Sequence, residues 1–465
     1  MKIGRITICG WSLMLSAIAA EPFQLQLRDR VESKAIPSQH RIRLRPESWK
    51  PKETAVIVCD MWDAHHCLNA VRREKQLVPR MNALLQEVRD RGGLVIHAPS
   101  SCMAAYENHP ARKRAQAVPI SKSPPKGINE WLHWIDEKEK QAGYPIDHSD
   151  GGEDDDPKEH ANWARELEER GRNPRSPWKS QIASLKIDPQ RDMISDSGLE
   201  NWSILEQRGI RNVLLVGVHS NMCVLGRPFG LRQLKRNGMN VALVRDLTDT
   251  MYNPAMPPKV SHFAGTDLVI GHIEKYVCPT VPSSDLIGGE EFVFAKDDRK
   301  KIVFLIGERE YKTAETLPAF AEAQLTPQYR CQFLFAADGS NDFGDIASTL
   351  KDADALFVSV RRRTPELAHM EAISNFVKAG KPIIGIRTAS HAFSLRGKPA
   401  PKGHGVWETF DPDVFGGNYH GHHGSKLKTF AKVVGQHPIV EGMAREEFAT
   451  GGSLYEVRPL KKGTT

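Results

Sequence analysis

The chain of 465 residues is too long for a single hydrophobic core and predicts two domains. Its hydrophobic content of 40% and charged content of 26% are those of a soluble globular protein. The formal net charge of +7 is mild for this length, and the sequence has no dense basic stripe with interleaved aromatic residues, which argues against a nucleic-acid partner.

Residues 1–19 have the pattern of a signal peptide. Lys2 and Arg5 form a positive start, and the apolar stretch over residues 6–18 is too short for a confident membrane span. Cleavage after Ala19 would leave a secreted or periplasmic protein without a membrane span; retention of the segment as an anchor is the alternative.

Six cysteines follow this segment, and an oxidising compartment would permit disulfides between them. Their spacing is wide and irregular, unlike a disulfide scaffold, and no C-x-x-C pair suggests zinc. We therefore expect mostly free thiols.

Residues 20–49 are predicted to form an extended lead-in to a first α/β domain at residues 50–285. Apolar runs that read as strands alternate in this domain with segments of helical period, which indicates a parallel sheet with right-handed crossovers. Asp60 and Asp246 each end such a run. Open α/β sheets place their sites at the carboxyl ends of strands, so both acids are noted.

About residues 100–190 interrupt this rhythm with prolines, glycines and many charges. Four tryptophans in the segment argue against disorder, because disordered stretches lack aromatic residues. We expect an insertion that packs over the sheet as a lid.

Residues 212–227 place one cysteine at a corner between a strand and a helix. A strand is predicted at 213–218, a polar turn at 219–221, and a helix at 224–237 with Cys223 on its first turn. A cysteine at a helix N-terminus has a lowered pKa and can be a reactive thiolate. A small buried residue at a corner is the other interpretation.

Asp60, residues 217–224 and the strand ending at Asp246 resemble the isochorismatase-like cysteine hydrolases, the family that includes the nicotinamidases. The resemblance covers residues 50–280 apart from the insertion. It implies that Asp60 is the general base and Cys223 the nucleophile. It also implies a cis peptide bond before His219, which would turn the N–H groups of His219 and Cys223 toward an oxyanion. A small amide or related acyl substrate follows, with a vinyl ether as the alternative, and a homo-oligomer by analogy.

The sequence departs from this family at two places. The family pairs its Asp and Cys with a lysine, and Ser195 or Asp196 stands at the expected position here. The metal motif of the nicotinamidases is also missing, although His65, His66 and His148 could rebuild a site for a divalent metal. Structural histidines are the alternative.

A linker is predicted at residues 286–299, before a second α/β series at residues 300–465. Residues 385–393 and 415–420 of this series resemble the ThuA-like (trehalose-utilisation) domains, which share the flavodoxin-type fold of class I glutamine amidotransferases. Arg387 stands where true amidotransferases carry their nucleophilic cysteine, so we expect no glutamine hydrolysis.

Clustered histidines mark the candidate site of the second domain. Imidazoles suit a metal or a carbohydrate ligand, and an exposed polar loop is the alternative. We expect the domain to be incomplete at its C-terminal end. The candidate residues are His391, His420, His422 and His423.

The sequence thus predicts two three-layer α/β/α domains with mainly parallel sheets, the second of them flavodoxin-like. The predicted function is that of an exported cysteine hydrolase that acts on a small amide or related acyl substrate. The alternative is a catalytically degenerate protein whose two α/β domains bind a carbohydrate or a partner.

Overall fold

The structure, a computed structural model, describes residues 20–33, 39–424, 427–452 and 454–463. The predicted signal peptide, residues 1–19, lies outside the described residues, so export stays a prediction from the sequence. In the part of the chain that is described, no helix combines the length and the apolar character needed to cross a bilayer.

Eight strands form the larger sheet of the first domain. In chain order they are β1 (Phe23–Glu32), β2 (His40–Trp49), β3 (Thr54–Cys59), β4 (Leu94–Ala98), β5 (Met193–Ile194), β6 (Asn212–Val218), β7 (Asn240–Asp249) and β8 (Thr280–Val281). Their order across the sheet is β2-β1-β8-β7-β6-β3-β4-β5. Strands β3 to β8 are parallel to their neighbours, and the lead-in strands β1 and β2 extend one edge in antiparallel fashion.

Helices cover both faces of this sheet. In chain order they are α1 (Leu68–Asp90), α2 (Pro110–Gln116), α3 (Glu137–Ala142), α4 (Pro157–Glu169), α5 (Gly198–Gln207), α6 (Cys223–Gly226), α7 (Leu231–Arg236), α8 (His262–Tyr276) and α9 (Ser284–Ile287). Apolar side chains of α1 and α9 pack against one face, and those of α5, α7 and α8 pack against the other. Every residue of β3 and β6 is buried, as expected for central parallel strands.

Two element predictions are wrong in this domain. The helix expected at 224–237 is broken into α6 and α7, because Pro228 and Gly230 lie between them and interrupt the helical hydrogen bonds. The strand expected to end at Asp246 continues to Asp249. Asp246 therefore lies within β7 and accepts hydrogen bonds from the N–H groups of Ser283 and Phe292, away from the strand end.

The segment at 100–190 is packed against the sheet domain. Glu139 of α3 is fully buried, pairs with Arg232 of α7 at 2.6 Å and accepts a hydrogen bond from His272 of α8 at 3.0 Å. Trp163 and Leu167 of α4 are buried against α1. Buried charges are stable only when they are paired, so Glu139 fixes this segment to the core.

The second domain has a smaller, four-stranded parallel sheet. Its strands are β9 (Lys300–Gly307), β10 (Tyr329–Phe335), β11 (Ala355–Val360) and β12 (Ile383–Gly385). They lie in the order β10-β9-β11-β12, with α10 (Thr313–Gln324) on one face and α11 (Ile346–Leu350) and α12 (Leu367–Lys378) on the other. Two short antiparallel pairs follow: β13 (Gly421–His422) with β16 (Tyr455–Glu456), and β14 (Thr429–Ala431) with β15 (Phe448–Thr450).

The predicted fold class is confirmed, because both sheets are mainly parallel and carry helices on both faces. The two domains also contact each other through charge pairs. Glu322 of α10 accepts hydrogen bonds from Arg30 of β1 and from Lys275 of α8.

Gly217 allows β6 to approach β3 closely. It has a φ of +103°, and a Cβ at this position would lie 2.0 Å from the carbonyl oxygen of Cys59. No side chain fits there without moving one of two central strands.

We expect Gly217→Ala to lower the free energy of unfolding by about 3 kcal/mol or more, since backbone strain and overpacking add. Gly238→Ala is the matched control, because Gly238 also has a positive φ, +88°, but has open space around it. That control should cost only about 1 kcal/mol. Urea unfolding measures both; equal losses would show that the close approach of the strands is not the constraint.

Candidate active site

Asp60 lies at the carboxyl end of the central strand β3 and is fully buried. Its φ of +46° is in the left-handed region, which is uncommon for residues other than glycine and clusters at functional sites. One carboxylate oxygen accepts the backbone N–H of Ser100 at 2.7 Å. Burial raises the pKa of Asp60, although the neighbouring Arg227 opposes this.

Cys223 is the first residue of α6, on the adjacent strand–helix connection. The residue is 8% exposed, and its thiol lies beside the Asp60 carboxylate. Burial and the negative charge of Asp60 raise the pKa of the thiol, and Arg227 only partly offsets them. The expected lowering of this pKa is therefore wrong: α6 has four residues, too few for a strong dipole, and desolvation dominates.

Arg227 supplies the positive charge for which no lysine was found. Its Nε donates to Asp60 Oδ2 at 3.1 Å, and its charge also acts on the Cys223 thiol, whose pKa it lowers. Burial would lower the pKa of Arg227, but the charges of Asp60 and Cys223 raise it. Residues four apart lie on the same side of a helical turn. The spacing of Arg227 from Cys223 is therefore the sequence signal that could have identified this arginine.

The positions expected to carry the lysine have other partners. The hydroxyl of Ser195 binds Glu200, and the carboxylate of Asp196 accepts the backbone N–H of Ser101 at 2.9 Å. Neither brings a cation to Cys223.

The turn before Cys223 contains the predicted cis peptide bond, between Val218 and His219. Within the described residues, the backbone N–H groups of His219 and Cys223 have no hydrogen-bond acceptor. Both N–H groups remain able to donate to an oxyanion, the role that the family resemblance implies for them. Burial lowers the pKa of the His219 imidazole to about 3, so the ring is neutral near pH 7.

A buried charge network below this turn was missed by the sequence analysis. Asp249 pairs with Arg73 at 2.7 Å and with His262 at 2.9 Å, and its backbone oxygen accepts the N–H of Ser220 at 2.7 Å. Burial alone would raise the pKa of Asp249, but Arg73 and His262 hold it well below the usual range. The sequence analysis predicted that the strand ends at Asp246, so it did not identify Asp249 as a strand-end acid.

The three histidines predicted as metal ligands are not brought together as a ligand set. His65 Nδ1 accepts the N–H of Cys67 at 3.1 Å, His66 Nε2 lies 3.1 Å from Glu153, and His148 Nδ1 binds Asn221 at 2.9 Å. The rings of His65 and His66 lie 4.0 Å apart, and burial lowers the pKa of both. These contacts are those of structural histidines.

A different group, Cys67, Asp154 and Asp155, has donor atoms within 4.8 Å of one another among the described residues. Its charges are already compensated. Asp155 accepts the N–H groups of Leu68 and Asn69 at 2.7 and 2.6 Å, at the start of α1, and Asp154 pairs with Arg73 at 2.7 Å. A helix N-terminus and a guanidinium both repel a cation, so this group is a helix cap tied to an arginine.

The segment at 100–190 forms one wall of the site. Trp131 lies under the Arg227 guanidinium, 5.4 Å from ring centroid to Cζ, and the N–H of Leu132 donates to the oxygen of Gly226 at 2.8 Å. Trp178 stacks on Trp62, two residues after Asp60, with centroids 4.4 Å apart. The segment therefore holds both the cation and the approach to the acid.

The candidate histidines of the second domain separate into two groups. His391 is buried, with its ring 4.6 Å from that of Tyr419. His420, His422 and His423 are exposed, and the described residues place none of the four in a set of converging metal donors. These three fit the interpretation as an exposed polar loop.

No protein-family model matches this sequence, and no curated protein matches it. Solved structures do show a likeness, which covers about half of the chain. A cysteine hydrolase from Pseudomonas syringae pv. phaseolicola 1448A is 16% identical, with a TM-score of 0.30, over 51% of this chain and 92% of its own.

Two further structures show a likeness with slightly lower identities and TM-scores. An isochorismatase family protein from Burkholderia thailandensis is 15% identical, with a TM-score of 0.27, over 50% of this chain and 94% of its own. An N-carbamoylsarcosine amidase from Thermoplasma acidophilum is 14% identical, with a TM-score of 0.23, over 42% of this chain and 83% of its own. At these values the chemistry of this chain has to be derived from its own residues.

We expect Arg227→Met to slow alkylation of Cys223 by iodoacetamide at about pH 9 by roughly 10-fold, the effect of one pKa unit. The reason is that the new thiolate would face Asp60 without a cation. Arg227→Lys keeps the charge and should retain most of the rate.

Lys235→Met is the control, since Lys235 is an exposed cation on the following helix, α7. Mass spectrometry of the peptide that contains Cys223 gives the rate. If Arg227→Met and Lys235→Met alkylate equally fast, Arg227 does not govern the thiol.

Proposed function

We propose that the first domain is a cysteine hydrolase that acts on a small amide or related acyl substrate. The observation that carries this proposal is the ion pair of Asp60 and Arg227 beside the Cys223 thiol, at the carboxyl edge of two adjacent central strands. A buried acid, a buried thiol and a cation shared between them are the components of an activated nucleophile.

Asp60 has the environment of a general base. The raised pKa of Asp60 gives its carboxylate a higher proton affinity than an ordinary aspartate has, while the charge of Arg227 favours its ionised form. The pKa of Cys223 is raised, so the resting thiol is protonated. The proton must then leave during the attack on the substrate and not before it.

In the proposed first step, the Cys223 sulfur bonds to the substrate carbonyl carbon as its proton passes to Asp60. The carbonyl oxygen becomes an oxyanion, which the N–H groups of His219 and Cys223 can bind. Arg227 lies beside Asp60 and the sulfur and stabilises the negative charge as it leaves the carboxylate, by way of the sulfur, for the oxyanion.

The intermediate then collapses to a thioester. The carbon–nitrogen bond breaks, and the leaving amine takes the proton that Asp60 holds. Water attacks the thioester with Asp60 again as base, the acid product leaves, and the sulfur recovers its proton. Acylation and deacylation each end with Asp60 in its ionised form, so no further acid or base is needed.

We expect Asp60→Asn to abolish turnover of amide substrates and to increase the alkylation rate of Cys223. Removing the carboxylate takes away the charge that raises the thiol pKa and leaves Arg227 beside the sulfur, so the pKa falls. A structural aspartate would not produce these two opposite effects. Turnover of an amide panel and alkylation at several pH values measure them.

During the reaction of the wild-type chain we expect intact-mass spectrometry to detect an acyl adduct. Cys223→Ala should lose both turnover and this adduct. Cys278→Ala is the matched control, because Cys278 is another buried free thiol of the same domain. Turnover that survives Cys223→Ala would contradict the proposal. A panel without turnover or adduct would leave the binding protein as the function of this domain.

A further inference from the structure

The carboxyl edge of the second sheet carries an unusual number of arginines. Three consecutive ones, at positions 361–363, follow β11, and Arg387 follows the neighbouring strand β12. Arg396 lies on the loop that continues from there. In open α/β sheets this edge, outside the carboxyl ends of the strands, is where ligands bind.

The backbone brings these segments together. The N–H of Arg362 donates to the oxygen of His391 at 3.2 Å, and that of Arg363 donates to Ala392 at 2.8 Å. The guanidinium of Arg362 reaches further along the same loop, where Nη1 donates to the oxygen of Ser394 at 3.1 Å. Arg362 therefore lies against the loop that presents Arg396.

The charge at this edge is only partly balanced, since the carboxylates of Asp338 and Glu408 act on Arg363 and Arg362 from a distance. Among the described residues, Arg362, Arg363 and Arg396 form no salt bridge, and the polar contacts of the first two guanidiniums are with backbone oxygens. Nearby carboxylates are engaged elsewhere: Glu310 pairs with Arg361 at 2.9 Å, and Glu408 accepts from Ser394 and Leu395.

Repulsion among the arginines lowers pKa values at this edge. Burial and the charges of Arg396 and Arg361 lower the pKa of Arg362. Burial and the same cluster, Arg362 first, lower the pKa of His391 to about 4. His391 is therefore neutral near pH 7 and adds a hydrogen-bonding ring without adding charge.

The backbone conformation sets these arginines apart. Arg362, Arg387 and Arg396 have φ values of 51°, 51° and 57°, and they are three of the seven residues other than glycine with positive φ in the described chain. Such conformations cost of order 1 kcal/mol or more each and cluster at ligand sites. Three at one sheet edge argue that the loops hold the arginines in place.

Aromatic rings form a wall beside the arginines. The Arg387 guanidinium lies 4.4 Å from the ring of Tyr311 and 4.9 Å from that of Tyr455. Tyr419 packs against both His391, at 4.6 Å, and Tyr455, at 4.9 Å. A ligand here would meet a planar apolar surface next to the charges.

We propose that the carboxyl edge of the second sheet binds the oxyanion of a small molecule, a phosphate or sulfate group, through Arg362 and Arg396. The guanidinium is planar, carries five donors and is always charged, which suits it to the oxygens of such groups. A bound dianion would remove the repulsion among the arginines. The tyrosine wall would contact the organic part of the ligand.

Isothermal titration of the purified full-length chain with inorganic phosphate and with inorganic sulfate, near neutral pH and at low salt, tests the proposal. We expect at least one of them to bind, and the tighter one identifies the group. Acetate, with a single carboxylate, should bind more weakly. Equal binding of acetate, or no binding of either dianion, would overturn the proposal.

Arg362→Gly should weaken binding of that dianion roughly 10-fold or more, the effect of losing one charged hydrogen bond. Glycine accepts the positive φ at this position, so the variant should fold. Arg396→Gln removes an exposed charge and should weaken binding several-fold.

Lys378→Gln is the control, because Lys378 is exposed in the last turn of α12, which leads to the opposite edge of the sheet. Its affinity should equal that of the wild-type chain. If Arg362→Gly and Arg396→Gln also keep wild-type affinity, the anion binds elsewhere and the assignment is wrong.

Discussion

The ion pair between Asp60 and Arg227 is the interaction on which the first domain's site depends. A carboxylate as buried as Asp60 would take up a proton if it stood alone, because desolvation penalises its charged form. A thiolate beside an unpaired carboxylate would be more costly still. Because the guanidinium of Arg227 lies beside both groups, its charge lowers the electrostatic cost of moving a negative charge from the carboxylate oxygen to the sulfur.

The sheet of the first domain holds Asp60, Arg227 and Cys223 close to one another. β3 and β6 are adjacent parallel strands, so their carboxyl ends place Asp60 and the turn before Cys223 side by side. Gly217 lets the strands approach, and Asp249 with its cationic partners fixes the turn from below. The segment at 100–190 completes the arrangement, since the ring of Trp131 packs on the Arg227 guanidinium.

The two domains carry different side chains at the same edge of a parallel sheet. In the first domain a residue with a positive φ after a central strand is an acid, Asp60, with a thiol and one cation beside it. In the second domain the corresponding turns carry Arg362 and Arg387, with aromatic rings beside them. The first set can exchange a proton with a nucleophile; the second has no acid–thiol pair and offers only positive charge and hydrogen-bond donors.

The sequence by itself determined the central strands, most of the helices of regular period, the two-domain order and the nearness of Asp60 to Cys223. Apolar periodicity and the rule that parallel strands end at one edge are local properties, so they can be read from the chain. The cis bond before His219, which the family resemblance implied, and the expectation of mostly free thiols are also confirmed.

Only the tertiary structure decided the role of Arg227, the raised pKa of Cys223 and the separation of His65, His66 and His148 into structural contacts. The arginine follows the cysteine by one helical turn, yet its partner Asp60 is 167 residues away in the chain. Burial and the charges of distant residues set a pKa, and neither quantity is a property of a sequence window.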